Sequence, residues 1–262
     1  MSGNMNILTK QSFQIIRTLT VNHLKIKYKR TSLGFFWSLL NPLFTVGVIS
    51  LVFSAIMKMD FSHFVALFFP AFLAWTFFAN SINASTLSIV SNESLLRKTP
   101  INVMIFPLVS VSISFVEFVL TSVVFLIILV IVGYIPSLSL ICLFVSVICL
   151  LLATIGVSLL ASVVSTFMRD VAYLIGVFIQ LWFYLTPVLY PKEFLIGKYK
   201  ILELILTFNP MVYIIEMFRD PITYHKFIST DTLLISGIFS VVVFLLGVWV
   251  FNKNKHKLVY RL

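Results

Sequence analysis

The sequence predicts an all-α integral membrane protein with one domain that covers residues 1–262. Hydrophobic residues make up 60% of the chain and charged residues only 11%, and the mean hydropathy is +1.07. A soluble domain of this length would need far more charge to cover its surface. The apolar residues also form long uncharged stretches, which is typical of helices that cross a hydrocarbon core of about 30 Å. These observations exclude a soluble protein.

An amphipathic helix is predicted near the N-terminus, within residues 1–33. Its apolar residues recur at intervals of seven or four along one stripe: Leu8, Ile15, Leu19, Ile26 and Leu33. Lys25 and Lys27 flank this stripe, as expected for a helix that lies in the membrane interface with its lysine stems buried. Because Leu24 and Tyr28 also alternate with lysines, a strand is the alternative there.

Six apolar segments follow, each long enough to span the membrane as a helix. They cover residues 34–57, 64–86, 106–133, 138–168, 171–190 and 232–251. The fourth exceeds the roughly 20 residues that one span needs, so we expect it to tilt, break or project from the bilayer. The first begins directly after a run of cations: Lys25, Lys27, Lys29 and Arg30.

The distribution of cations predicts the orientation. With a cytoplasmic N-terminus, the cytoplasmic segments hold 13 of the 19 Lys and Arg residues. The two short outer loops hold only Lys58, and the long outer segment has five cations balanced by five acids. Because positive charge gathers on the cytoplasmic side of membrane proteins, both termini are predicted to be cytoplasmic. The net charge of +10 therefore requires no nucleic acid as a partner.

The long outer segment, residues 191–231, is not an ordinary loop. Asn209 and Pro210 separate two amphipathic pieces, at residues 193–208 and 211–218. Proline lacks a backbone donor and restricts the residue before it, so no single helix continues through this point. We predict two short helices that dip into the outer leaflet or lie on it, followed by the last span and a cytoplasmic tail within residues 232–262.

The sequence contains no recognisable enzymatic site. Gly197 and Lys198 lack the upstream glycine of a P-loop, so we do not expect this chain to hydrolyse ATP. The four histidines are scattered over loops, which indicates neither a metal site nor a catalytic triad. Glu93 and Asp170 are the only acids on the predicted cytoplasmic side, which ranks a membrane-embedded transferase last. We expect no catalytic residue, metal or cofactor on this chain.

Glu117 is the one ionisable residue deep inside a predicted span. It shares a helical face with Ser110, Ser114 and Thr121. Such a carboxylate is a functional candidate because its placement in lipid is costly. Two interpretations stand: a proton carrier of an ion-coupled secondary transporter, or a hydrogen-bonding group between helices without a transport role.

Two helical faces combine aromatic rings with polar groups. They comprise Trp37, Asn41 and Phe44 in the first span, and Tyr173, Gln180 and Tyr184 in the fifth. Sugars stack their C–H faces on aromatic rings and bond to polar tips, so both faces suit a glycan path. Residues of the interfacial belt and of the core are the alternative.

The cytoplasmic connection at residues 91–104 contains a short amphipathic turn. Its candidate residues are Glu93, Leu96, Arg97 and Lys98. A short helix exposed beyond the membrane suits docking into the groove of a partner. A plain connecting loop is the alternative.

These stretches resemble the membrane permease subunits of bacterial ABC exporters for cell-surface polysaccharides, such as O-antigen and teichoic acid. The matching pieces are KYKRTSLGFFWSLLNPL, PAFLAWTFFANSI, FMRDVAYLIGVFIQLWFYLTPVLYP and FNPMVYIIEMFRDPI, which begin at Lys27, Pro70, Phe167 and Phe208. Together with the six-span layout, they cover nearly the whole chain.

The resemblance implies a homodimer of this chain and two copies of a separate ABC ATPase, which would bind ATP and Mg²⁺. It implies that the N-terminal helix is an interface helix and that residues 91–104 hold a coupling helix. Asn209 and Pro210 would separate two outer gate helices. A lipid-pyrophosphate headgroup would enter at a set of five residues: Lys27, Lys29, Arg30, Leu33 and Gly34.

We therefore expect a channel-forming permease in the bacterial cytoplasmic membrane that moves polyprenyl-pyrophosphate-linked glycan out of the cytoplasm. The cations would attract the pyrophosphate, and the aromatic faces would guide the sugars. The coupling and interface helices would transmit closure of the ATPase. An ion-coupled transporter that uses Glu117 is the alternative.

Overall fold

The computed structural model of the protein describes residues 10–29, 36–99, 101–131, 133, 137–194 and 200–261. In chain order the helices of this part are α1 (Lys10–Lys29), α2 (Phe36–Met57), α3 (Phe61–Thr86), α4 (Glu93–Lys98), α5 (Ile105–Ile131), α6 (Cys142–Phe167), α7 (Val171–Leu185), α8 (Lys200–Phe208), α9 (Pro210–Thr223) and α10 (Thr230–Arg261). Short 3-10 helices occupy Val90–Asn92, Leu138–Ile141 and Lys192–Phe194. The described residues contain no strand, and the all-α prediction is confirmed.

Five helices within the described ranges are long and apolar enough to cross a membrane. They are Leu39–Met57, Phe61–Thr86, Ile105–Val130, Leu138–Phe167 and Thr230–Leu258. These helices match the first four predicted spans and the last one. The number rises to six if the bent pair of α8 and α9 is taken as one span. The chain is a multi-pass membrane protein.

The fifth predicted span is shorter than expected. α7 has 15 residues and therefore extends about 22 Å, less than a hydrocarbon core of about 30 Å. It ends at Leu185 because Thr186 precedes Pro187, and the proline ring disfavours helical geometry in the preceding residue. Thr186 is accordingly extended, with φ −106° and ψ 131°.

The amphipathic helix is confirmed as α1, and the strand alternative is wrong as far as Lys29. Ile26 of the predicted apolar stripe is 70% exposed on α1, on a side that does not pack against the bundle. The buried residues of α1 are Ser12 and Thr20. The reason is that α1 packs against α5 on a side where α5 carries hydroxyl groups and Glu117, so a polar face of α1 faces the bundle.

α3 is the most buried of the long helices and packs against α2, α5, α6, α7 and α9. Aromatic pairs fix it in place. The ring centroids of Phe69 and Phe125 lie 4.2 Å apart, and those of Trp75 and Trp182 lie 6.0 Å apart. α3 is therefore the central helix of the bundle, and its contacts position the neighbouring helices and the candidate site.

α8 and α9 form a helix pair bent by 77° at Asn209. The predicted break at Asn209 and Pro210 is confirmed, and α9 extends to Thr223, beyond the predicted end at residue 218. α9 is not exposed on the surface of the bundle. It is buried against α3, α6 and α10, because its polar side chains find partners there, including Arg219 with the carbonyl oxygen of Leu67 in α3 at 2.9 Å.

Candidate functional site

A polar space opens between α1, α2, α3 and α5. Two cavities of about 390 Å³ and 540 Å³ form it. Both are lined by Lys27, Asn80, Ser114 and Glu117. We refer to the two cavities together as the polar crevice, whose further polar lining residues include His23, Tyr28, Asn41, Thr45, Thr76, Asn83, Ser88, Ser91, Asn92, Ser110 and Thr121.

The polar crevice leads from the end of the bundle that carries α4 toward the middle of α5. Ser91 and Asn92, beside α4, line one cavity, and Asn41 and Thr121 line the other. Glu117 lies 12 residues beyond the first residue of α5, about 18 Å along the helix axis. Polar groups this far along a membrane-spanning helix are costly in lipid. The crevice provides a hydrophilic environment for these groups and for any polar ligand.

An ion pair joins α1 to the middle of α5 inside this crevice. Lys27 Nζ lies 2.5 Å from Oε1 of Glu117. The hydroxyl group of Tyr28 donates to the same oxygen at 2.8 Å. The Lys27 side chain is 54% exposed and that of Glu117 is 20% exposed. The carboxylate therefore has two protein partners, and Lys27 is the more exposed member of the ion pair.

Sequence reasoning misses two amides of the polar crevice, Asn80 and Asn83. Both are exposed, although most of α3 is buried, and both line the crevice. They lie three positions apart and therefore share one face of the helix. Two amides at this spacing inside an apolar span are the signal that could have identified them.

The polar crevice brings together residues from three predicted sets. Lys27 belongs to the predicted headgroup site, Trp37 and Asn41 to the predicted glycan path, and Ser114, Glu117 and Thr121 to the intramembrane polar face. The remaining glycan-path residues lie elsewhere, exposed on α2 and α7: Phe44, Tyr173, Gln180 and Tyr184. Lys29 is exposed at the end of α1. Arg30, Leu33 and Gly34 lie outside the described residues.

α4 occupies the predicted amphipathic turn in the connection between α3 and α5. Arg97 and Glu93 form an ion pair within this helix, with 2.7 Å between nitrogen and oxygen. Arg97 and Lys98 are exposed. Leu96 instead packs against an apolar cluster that unites this connection with α6 and the end of α10: Ile89, Val103, Met104, Leu159, Val163, Phe251 and Leu258. The cluster fixes α4 to the bundle and leaves its cations accessible.

Asn209, predicted at the outer gate, caps α9. Its side-chain oxygen accepts hydrogen bonds from the backbone of Met211 at 3.1 Å and from the indole of Trp182 at 2.9 Å. Its amide nitrogen donates to the hydroxyl group of Thr186 at 2.9 Å. Pro210 follows at the first helical position, where its missing N–H leaves no bond unmade.

A buried cation, Arg219 of α9, is also missed by sequence reasoning. Its guanidinium group donates to the carbonyl oxygens of Leu67 at 2.9 Å, Val188 at 2.6 Å and Tyr190 at 3.2 Å. These bonds tie α9 to α3 and to the chain that follows α7. A buried charge is tolerated when its hydrogen bonds are satisfied in this way.

An ion pair lies beside Arg219. Lys192 Nζ is 2.5 Å from Oε1 of Glu216. Burial by itself lowers the pKa of Lys192, but the hydrogen bond to Glu216 and the charges of nearby carboxylates outweigh burial and leave that pKa above its ordinary value. Lys192 is therefore charged at neutral pH and holds the loop after α7 against α9.

Comparison with known proteins identifies relatives along nearly the whole chain. The profile of a family described as ABC-2 type transporter matches residues 14–222. The O-antigen export system permease protein RfbA of Klebsiella pneumoniae is 29% identical over 250 residues, which cover 94% of this chain and 93% of the relative. A second Klebsiella pneumoniae protein of this name is 28% identical with the same coverage. A Myxococcus xanthus protein of this name is 25% identical over 243 residues, 93% of each chain.

Proposed function

Because this chain belongs to the ABC-2 type transporter family, we propose that it is the channel-forming permease subunit of an ATP-driven exporter of cell-surface polysaccharide. The names of the three relatives support this substrate class. The polar crevice is the structural observation that carries the proposal. It offers amides and hydroxyl groups, which pair with sugar hydroxyls, and a lysine, which pairs with phosphate.

The proposed substrate is a glycan linked to polyprenyl pyrophosphate. Its lipid tail would stay in the bilayer while its charged headgroup enters at the cations of α1. Lys27 lines the polar crevice and Lys29 is exposed nearby on the same helix. Arg30, Leu33 and Gly34 follow directly in the chain and belong to the same proposed entrance. Trp37 and Asn41 would then meet the first sugars.

We propose that two copies of this chain form the channel. Gln180 supports this proposal because its amide is exposed on α7, an otherwise apolar helix. An amide without a partner in hydrocarbon is costly, so this face needs a second copy or a hydrophilic channel against it. Phe44, Tyr173 and Tyr184 are also exposed and would extend the glycan path along that channel.

Energy would come from two copies of an ABC ATPase, which bind ATP and Mg²⁺ and dock on α4. Arg97 and Lys98 are exposed at the end of the bundle where Leu258 of α10 is buried. Further cations follow on α10, namely Lys253, Lys255, Lys257 and Arg261. Because cations of both segments lie at this end, the positive-inside rule supports a cytoplasmic position for it and for both termini, in the cytoplasmic membrane.

Ion-coupled transport through Glu117 gains no support. Glu117 has Lys27 and Tyr28 as partners. These contacts fit the other interpretation of Glu117, a hydrogen-bonding group between helices.

Depletion of this gene in its native bacterium, followed by mass spectrometry of lipid extracts, tests the proposal. We expect polyprenyl-pyrophosphate-linked glycan to accumulate inside the cell while surface glycan disappears. A plasmid copy of the gene should reverse both effects. Normal surface glycan without accumulation would contradict polysaccharide export by this chain.

A further inference from the structure

Lys27 and Glu117 occupy the part of the polar crevice that its two cavities share. Both residues line both cavities, and the ion pair between them therefore lies at the junction. The pair also joins two elements that are far apart in sequence, since 90 positions separate the two residues. A polar ligand that passes from one cavity to the other would pass the four residues that line both cavities, and Lys27 and Glu117 are two of these.

The ion pair can exchange its partners. The Lys27 side chain is 54% exposed, and partly exposed ion pairs are weak. Glu117 is only 20% exposed and would be left at membrane depth if Lys27 moved away. The hydroxyl group of Tyr28, 2.8 Å from the same carboxylate oxygen, continues to satisfy it.

A pyrophosphate group is a stronger partner for Lys27 than a carboxylate is. It carries more negative charge and more acceptor oxygens, and its hydrogen bonds to an ammonium group are charge-assisted. With the carboxylate oxygen of Glu117 only 2.5 Å from the Lys27 nitrogen, the two anions compete for one cation. Once the pyrophosphate is bound, the nearby carboxylate repels it.

We propose that Glu117 is a built-in competitor of the substrate's pyrophosphate for Lys27. In the empty crevice Glu117 holds Lys27, and with it α1, against α5. In the loaded crevice its charge keeps pyrophosphate binding weak enough for the headgroup to leave, which transport requires. This inference rests on the proposed function, because it takes a lipid pyrophosphate as the headgroup.

Binding of farnesyl diphosphate to the purified full-length protein tests this inference, with farnesol as the uncharged control ligand. Glu117→Gln should lower the Kd about tenfold, because glutamine keeps the shape and the Tyr28 bond but loses the competing charge. Lys27→Gln should raise the Kd about tenfold and should reduce the gain from Glu117→Gln in the double variant. Asp231→Asn removes an exposed carboxylate at the start of α10 and should leave the Kd unchanged.

The outcomes separate this inference from the proposed function. If the wild-type protein prefers farnesyl diphosphate to farnesol but Glu117→Gln binds it equally or more weakly, the competitor role is overturned and the pyrophosphate site stands. Equal tightening by Asp231→Asn also overturns the competitor role, because total charge then explains the effect. Equal binding of both ligands by the wild-type protein overturns the pyrophosphate headgroup and the competitor role together.

Discussion

The indole nitrogen of Trp182 donates a hydrogen bond to the side-chain oxygen of Asn209, with 2.9 Å between the two atoms. This bond ties the bend between α8 and α9 to the last turn of α7. Asn209 also bonds to Thr186 and to the backbone of Met211. The buried side chain of Asn209 thus joins the end of α7, the residue that follows α7 and the start of α9.

Loss of this amide should loosen the bent helix pair. Asn209→Ala leaves the Trp182 indole and the Thr186 hydroxyl group without their partner, and we expect a loss of about 1–3 kcal/mol in unfolding free energy. Thermal unfolding of the purified protein in detergent measures this loss. Thr207→Ala is the matched control, because Thr207 is exposed and its hydroxyl group bonds to a carbonyl of its own helix. Equal melting temperatures for the two variants would contradict this role of Asn209.

Arg219 should be essential for the position of α9. Arg219→Met removes the donors for three carbonyl oxygens, and we expect the unfolding free energy to fall by about 3 kcal/mol or more. Arg219→Lys should restore only part of it, since an ammonium group lacks the planar fork of donors. Lys226→Met changes an exposed cation and serves as the control. If Arg219→Met melts like Lys226→Met, the buried network does not anchor α9.

α6 and α10 pack closely at Gly156 and Gly247, and we expect that a larger residue at either position destabilises the protein. A Cβ atom on Gly156 would lie 2.5 Å from the carbonyl oxygen of Val243, and a Cβ atom on Gly247 would meet the backbone of Gly156. Gly247→Ala should therefore force the helices apart and cost about 1–3 kcal/mol. Gly237→Ala, on the same helix with nothing within 4 Å, should be neutral or stabilising. Detergent melting of the two variants compares them, and equal stability would exclude close helix contact here.

Docking of the ATPase on α4 predicts a defect in coupling without a defect in folding. Reversing both exposed cations, by Arg97→Glu with Lys98→Glu, should lower substrate-stimulated ATPase activity of the complex several-fold while the melting temperature stays near that of the wild type, because neither side chain is buried. Lys226→Glu, which changes an exposed cation in the loop before α10, is the control. An unchanged stimulated rate in the α4 variant would argue against docking at this helix.

Local signals in the sequence were sufficient for much of the fold. Long uncharged runs predict the spans, and Asn209 with Pro210 predicts the bend, because these features depend on a few neighbouring residues. The early end of α7 could also be predicted from neighbouring residues, since Thr186 and Pro187 lie inside the predicted span. The assembly of the site is different. Glu117 and Lys27 are each recognisable alone, but their contact depends on how α1 and α5 are rotated and packed.

The buried side chains of α9 show the same limit. The segment at residues 211–218, which contains Glu216, has the composition of an amphipathic helix, and the sequence alone predicts that it dips into the outer leaflet or lies on it. The burial of α9 depends on carbonyl oxygens from α3 and from the loop after α7, which become partners only in the folded chain. The same is true of Asn80 and Asn83, whose faces turn toward a crevice that exists only when α1 covers it.

Site-specific photo-crosslinking in living cells tests the central claim most directly, namely that the polar crevice carries lipid-linked glycan. A photoreactive amino acid at Asn80, which lines both cavities, should capture glycan-linked polyprenyl pyrophosphate, detected as a mass shift and by a glycan stain. The same amino acid at Val242, exposed on the apolar face of α10, should capture ordinary lipid only. Capture of the lipid-linked glycan at Val242 but not at Asn80 would contradict this path.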